Sequence, residues 1–183
     1  MSPRAVLVGL PGTGKSTTGR RLAKILAVPF TDSDDLVEAA QGRPVTEIFA
    51  DLGEPGFREA EAAAVREALS SFDGILSLGG GAVTTETTRT AITASGVEVV
   101  LLRATLQTLA DRVGDGRTRP LLVADPQARL TALAAERDPL YTALATLTVD
   151  TDGRTPGQVA AQIAARLHER APRAWATRRP ESP

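Results

Sequence analysis

The stretch Gly9-Leu10-Pro11-Gly12-Thr13-Gly14-Lys15-Ser16 constrains this chain more than any other. Two glycines stand at the spacing of a phosphate-binding P-loop, and Lys-Ser follows them. The apolar run Ala5-Val6-Leu7-Val8 precedes the turn and suits a buried strand. A helix-forming stretch, Thr17 to Ala27, follows it. Strand, glycine-rich turn and helix N-terminus together make an anion cradle, with backbone N–H groups and the positive helix end facing phosphate. Gly12, Thr13, Gly14, Lys15, Ser16 and Thr17 are the candidate nucleotide contacts. Lys15 is placed to reach the β- and γ-phosphates, and Ser16 to ligate Mg²⁺.

The remaining composition narrows the class. The chain has 183 residues, enough for one α/β domain with a real core. Its net charge is −1, so no basic field argues for nucleic acid or a lipid surface. No apolar run approaches the ~20 residues of a membrane span. Met1-Ser2-Pro3-Arg4 leads straight into the first strand, so no signal peptide is expected. With no cysteine and one histidine, His168, thiol catalysis and Cys-ligated metals are excluded and zinc chemistry is disfavoured. A cytoplasmic, nucleotide-using protein is the simplest expectation.

Strand-like and helix-like segments alternate, as in a mainly parallel sheet covered by helices. Strands are predicted at Ala5–Val8, Pro29–Thr31, Ile75–Leu78, Val97–Leu102 and Leu147–Val149. Helices are predicted at Lys15–Ala27, Asp35–Ala40, Thr46–Leu52, Phe57–Leu69, Thr85–Ala94, Leu106–Val113, Ala128–Arg137 and Pro156–Arg170. In the last, Val159, Ile163 and Leu167 form one apolar stripe that should dock on the sheet. Gly114 to Pro120 is polar and glycine-broken and reads as a mobile loop. The tail Ala171–Pro183, which holds the only tryptophan, Trp175, has little to bury and is expected to be disordered.

Further candidate groups follow in order. Asp32 and Asp34 sit just after the second strand, where ligands bind in open α/β sheets. They can serve a metal and a substrate hydroxyl; alternatively one of them, or Ser33, only caps the helix that follows. Arg58 and Glu61 share a helix face three residues apart, which also describes an ordinary surface pair. Gly79-Gly80-Gly81 lets backbone amides approach a ligand closely. Arg119, in Arg119-Pro120-Leu121-Leu122, can supply an arginine finger in cis, and Arg137 is expected to end a helix.

P-loop, Asp-x-Asp, Gly-Glu-x-x-Phe-Arg-x-x-Glu, Gly-Gly-Gly, Arg-Pro-Leu-Leu and Arg-x-Pro-x-Tyr occur in this order. The set resembles the shikimate kinases across roughly residues 4 to 168. The resemblance implies a three-layer α/β/α P-loop domain over residues 1–170, with a five-stranded parallel sheet of order 2-3-1-4-5. A lid is expected at about 114–126, and a tail at 171–183. It implies transfer of the γ-phosphoryl group of ATP to the 3-hydroxyl of shikimate, with Mg²⁺, by a monomer. Under it Lys15 resembles the phosphate-binding lysine, Ser16 the Mg²⁺ ligand and Asp32 the carboxylate that holds Mg²⁺ through water. Asp34 is similar to the carboxylate that grips shikimate hydroxyls near the reacting oxygen. Arg58 and Arg137 resemble the pair that binds the substrate carboxylate, and Glu61 the residue that orients them. Gly79, Gly80 and Gly81 match the backbone wall, and Phe49, Phe57, Pro120 and Leu121 the apolar positions around the ring. Arg119 resembles the lid arginine that meets the transferring phosphoryl group. Arg112, Arg154 and Pro156 correspond to the adenine side. The rival classes are a kinase for gluconate or a nucleoside monophosphate, and a nucleotide-controlled switch. The chain lacks the Asn-Lys-x-Asp of guanine-specific GTPases.

Overall fold

The run Ala5–Val8 becomes β1, the central strand of a parallel sheet, because apolar side chains on both its faces need cover. The computed structural model describes residues 2–113 and 126–170. Within them the order is β1 (Ala5–Val8), α1 (Lys15–Leu26), β2 (Phe30–Asp32), α2 (Ser33–Gln41), α3 (Val45–Ser71) and β3 (Ile75–Ser77). A 3₁₀ turn (Ala82–Thr84), α4 (Glu86–Ser95), β4 (Val99–Arg103), α5 (Leu106–Val113), α6 (Pro126–Leu144), β5 (Leu147–Asp150) and α7 (Pro156–Arg170) complete it. The sheet order is β2-β3-β1-β4-β5, all parallel. Among the described residues no helix is long and apolar enough to cross a membrane.

Alternation along the strands feeds two cores. Val6, Val8, Leu76, Val99 and Leu101 face one side, where Val65, Leu69, Ile92, Leu109, Leu130 and Tyr141 cover them. Ala5, Leu7, Ile75, Val100 and Leu102 face the other and meet Leu22 of α1 and Val159, Ile163 and Leu167 of α7. The α7 stripe thus docks as its spacing predicts. Burying one such leucine or isoleucine contributes roughly 1.5–3 kcal/mol.

Most strand and helix ends move by one or two residues, and three changes bear on the site. α2 starts at Ser33, not Asp35, because the Asp32 side chain accepts the Asp34 N–H and so caps the helix two residues earlier. The segments predicted as two helices, Thr46–Leu52 and Phe57–Leu69, run together as α3, broken only at Gly53 (φ 65°, ψ −177°). Pro55 then falls in the first turn after the break, where its missing N–H costs nothing. Finally, Arg137 does not end a helix: α6 continues to Leu144 with Pro139 inside it. Leu130 and Tyr141 are buried there, with Leu133, Ala134, Leu140 and Leu144 packed against the same core. Apolar cover over the sheet outweighs the lost proline hydrogen bond.

Candidate active site

The P-loop sits at the carboxyl end of β1. Gly9 (φ 143°) must lack a side chain, since a Cβ there would stand 2.4 Å from the Leu102 carbonyl oxygen of β4. Gly12 (φ 88°) and Gly14 (φ 84°) also take left-handed conformations, and Gly14 caps α1. Thr13 is buried, its hydroxyl donating to Leu10 O at 2.8 Å. Lys15 Nζ donates to Gly9 O at 2.8 Å and Leu10 O at 3.1 Å, so the ammonium lies across the mouth of its own loop. Thr17 is exposed on the first turn of α1.

Beside the loop, Ser16 Oγ donates to Asp32 Oδ2 at 3.0 Å. The two candidate metal groups are therefore adjacent although sixteen residues apart. Ser77, aligned with Asp32 in the β2–β3 register, is fully buried, and its hydroxyl has no partner among the described residues. Hard oxygens at a P-loop serine and a neighbouring carboxylate suit Mg²⁺, which keeps most of its water and needs few protein ligands. Asp32 thus both caps α2 and reaches Ser16.

Across from Ser16, Asp34 keeps an open face toward the cleft but has protein around most of it. Burial, then the charges of Asp32 and Glu61, push its carboxyl up to about 6, while Arg58 pulls the other way. Glu61 is 1% exposed, so the Arg58–Glu61 spacing is not a surface pair. Its Oε2 accepts from Arg58 Nη1, and its Oε1 accepts from Ser33 Oγ at 2.8 Å. Burial raises the Glu61 pKa, and the Arg58 charge and these hydrogen bonds oppose it. Ser33 Oγ in turn accepts from Gly79 N at 2.8 Å. A fully buried serine thus joins α2, α3 and the glycine turn. Sequence reasoning considered Ser33 only as a cap, and a serine between two aspartates carries no stronger signal.

The glycine triplet is walled in on three sides. A Cβ on Gly79 would meet Glu61 Oε1 at 2.9 Å, and one on Gly80 would meet Pro11 Cδ of the P-loop at 3.2 Å. One on Gly81 would meet Arg58 Nη2 at 2.1 Å. Phe57 stacks on Phe49 with centroids 4.3 Å apart, and the Arg58 guanidinium lies 5.2 Å from the Phe57 ring centroid. Phe49 is partly exposed. Arg137, 14% exposed, contacts Glu136 at 3.5 Å, and both Arg137 and Arg58 act on the buried phenol of Tyr141. α6 therefore brings Arg137 to the same corner as Arg58, which local sequence could not do.

On the far side of the P-loop, Gly14, Thr17, Arg112, Thr151, Arg154 and Pro156 line a cavity of about 150 Å³. Arg112 donates from Nη1 to Thr151 Oγ1 at 2.9 Å and from Nη2 to Thr151 O at 2.8 Å, and it reaches Gly12 O at 3.4 Å. Arg154 bonds the Gln162 side chain, and Pro156 opens α7. Arg119, Pro120, Leu121 and the predicted lid at 114–126 lie outside the described residues, apart from Pro126 at the start of α6, as do the tail and Trp175.

The sequence profile of the family described as Shikimate kinase matches residues 11–168. A shikimate kinase of Salinispora tropica is 52% identical over 167 residues, covering 91% of this chain and 99% of that protein. One from Mycobacterium avium is 51% identical over 168 residues, covering 91% and 94%. The solved shikimate kinase of Acinetobacter baumannii in complex with shikimate superposes with a TM-score of 0.84 at 33% identity, covering 94% of this chain and 96% of that one. The strand order agrees with these likenesses, and the chain belongs to the shikimate kinase family of phosphotransferases.

Proposed function

We propose that this protein phosphorylates the 3-hydroxyl of shikimate with ATP, giving 3-phosphoshikimate and ADP. The observation that carries the reading is the placement of Asp34, Arg58 and Glu61 against the glycine turn, one strand away from the P-loop. The acceptor hydroxyl oxygen forms a bond to Pγ as the bond from Pγ to the ADP oxygen breaks. The hydroxyl proton passes to Asp34. A carboxylate held near pKa 6 can accept that proton at neutral pH and release it to water afterwards.

Arg58 and Arg137 hold the substrate carboxylate, since planar guanidinium matches it in bidentate fashion. Arg58 Nε is buried without a partner among the described residues, so an anion there would satisfy a donor left unpaired. Glu61, itself held by Ser33, orients Arg58. Gly79, Gly80 and Gly81 form the wall, and Phe49, Phe57, Pro120 and Leu121 border the ring. Lys15 and the loop residues Gly12 to Thr17 bind the phosphates, and Arg112, Arg154 and Pro156 border the adenine. Ser16 and Asp32 would hold Mg²⁺, which supplies charge neutralisation on the phosphates. Arg119 meets the transferring group. The reading takes the protein to act as a monomer. The reading places it in the cytoplasm with a small-molecule substrate and no nucleic acid or membrane partner.

A coupled ADP-release assay with shikimate, gluconate and AMP tests the reading. Shikimate should drive turnover far above the ATPase background. Equal rates with and without shikimate, or faster turnover with gluconate or AMP, would overturn it.

A further inference from the structure

The hydrogen-bonding groups of the glycine turn can be accounted for one by one. Gly79 N donates to Ser33 Oγ, and Gly79 O accepts from Ala82 N at 3.0 Å. Gly81 O accepts from Thr84 N at 3.0 Å and from Thr84 Oγ1 at 2.7 Å. Gly80 O accepts from the Tyr141 hydroxyl at 2.6 Å. Among the described residues, the N–H groups of Gly80 and Gly81 have no such partner. Consecutive backbone N–H groups without internal acceptors make an anion-binding concavity. This one runs from Pro11 of the P-loop, beside Gly80, to the Arg58 guanidinium, beside Gly81.

One side chain sets the direction of the second donor. Gly80 C=O and Gly81 N–H belong to the same planar trans peptide and point opposite ways. A glycine peptide has few steric restraints of its own, so the plane would otherwise turn freely. The Tyr141 O–H fixes it by holding the carbonyl toward α6. The phenol is suited to this, being 1% exposed and kept protonated by burial. Tyr141 also lies four residues after Arg137, on the same face of α6. The same contact ties the face of α6 that carries Arg137 to the glycine turn.

We propose that Tyr141 is a positioning residue for the acceptor's carboxylate: its hydroxyl aims the Gly81 N–H and seats Arg137 beside Arg58. This rests on the arginine-pair reading above. The test compares wild type with Tyr141→Phe, which keeps the buried ring, using shikimate and its methyl ester as acceptors. In Tyr141→Phe the KM for shikimate should rise about two- to ten-fold, the range of one neutral hydrogen bond. The KM values for the ester and for ATP should stay within about two-fold, a split that general loosening of the fold would not give. Equal rises for acid and ester would overturn the proposal while leaving the arginine pair intact. A wild-type enzyme that does not distinguish acid from ester would overturn the arginine-pair reading, and this proposal with it. A second measurement needs no variant: in wild-type ¹⁵N spectra the Gly81 amide should shift on titration with shikimate. A static Gly81 resonance would overturn the proposal.

Discussion

Asp34 sets function against stability. Its carboxyl is raised to about 6 from an ordinary value of 3.8, first by burial and then by Asp32 and Glu61. A raised acid favours its protonated form in the folded state. Its contribution to stability is therefore present below about pH 3.8 and is lost as the pH rises through about 6. Above that window the folded protein holds a carboxylate that would be more comfortable in water. Asp34→Asn should thus melt higher than wild type at pH 7.5, with the difference shrinking toward pH 4, as thermal melts across that range will show. The same variant should lose roughly 10²-fold or more in kcat. In wild type, kcat/KM should fall as the pH drops below about 6. A variant that melts lower at pH 7.5, or a flat acid limb, would contradict the assignment. Ser33 behaves oppositely. Ser33→Ala leaves the Gly79 N–H and a Glu61 oxygen unpaired in the interior, at about 1–3 kcal/mol for each group. It should lower the melting temperature and raise the KM for shikimate together.

Elements were legible wherever a short spacing rule governs them. The β1–P-loop–α1 unit and the α7 stripe follow directly from apolar runs and glycine positions. What spacing cannot tell is depth. Arg58 and Glu61 are three apart whether a helix faces water or core, and only the packing of α2 and the glycine turn on α3 buries Glu61. The sequence predicts a helix end at Arg137, yet distant sheet contacts carry α6 past it and past Pro139. That same tertiary packing brings both Arg137 and Arg58 near Tyr141. The end of α1 offers a test at this scale. Ala27 caps the helix in a left-handed conformation (φ 53°, ψ 44°), its N–H bonding back to Ala23 O and Lys24 O. A side chain there costs about 1–2 kcal/mol that glycine avoids. Ala27→Gly should raise the melting temperature by about 2–4 °C with kcat unchanged. A lower melting temperature would mean that the unfolded-chain entropy of glycine prevails.

Over the whole molecule, β1 divides two sets of groups. Arg112, Thr151, Arg154 and Pro156 come from the β4–β5 side, while Asp32, Asp34, Arg58, Glu61 and the glycine turn come from the β2–β3 side. Among the described residues, Arg112 and Arg58 share no hydrogen-bond partner. Arg112→Ala should therefore raise the KM for ATP, Arg58→Ala the KM for shikimate, and the double variant should show both effects as a simple sum of free energies. Steady-state titration of each substrate checks this, and a departure above about 0.5 kcal/mol would signal coupling. The strand order has an evolutionary consequence. Among the described residues, most of the groups proposed to face the acceptor are encoded in one contiguous block, from β2 to the 3₁₀ turn ending at Thr84. Among the described residues, Arg137 and Tyr141 on α6 reach over from outside it. Recombination of that block between kinases could exchange the acceptor without disturbing the nucleotide half, but a hybrid would inherit a mismatched α6. Descent toward a new acceptor would then have to pass through α6, and lineages that changed specificity should carry their second substitutions at those two positions.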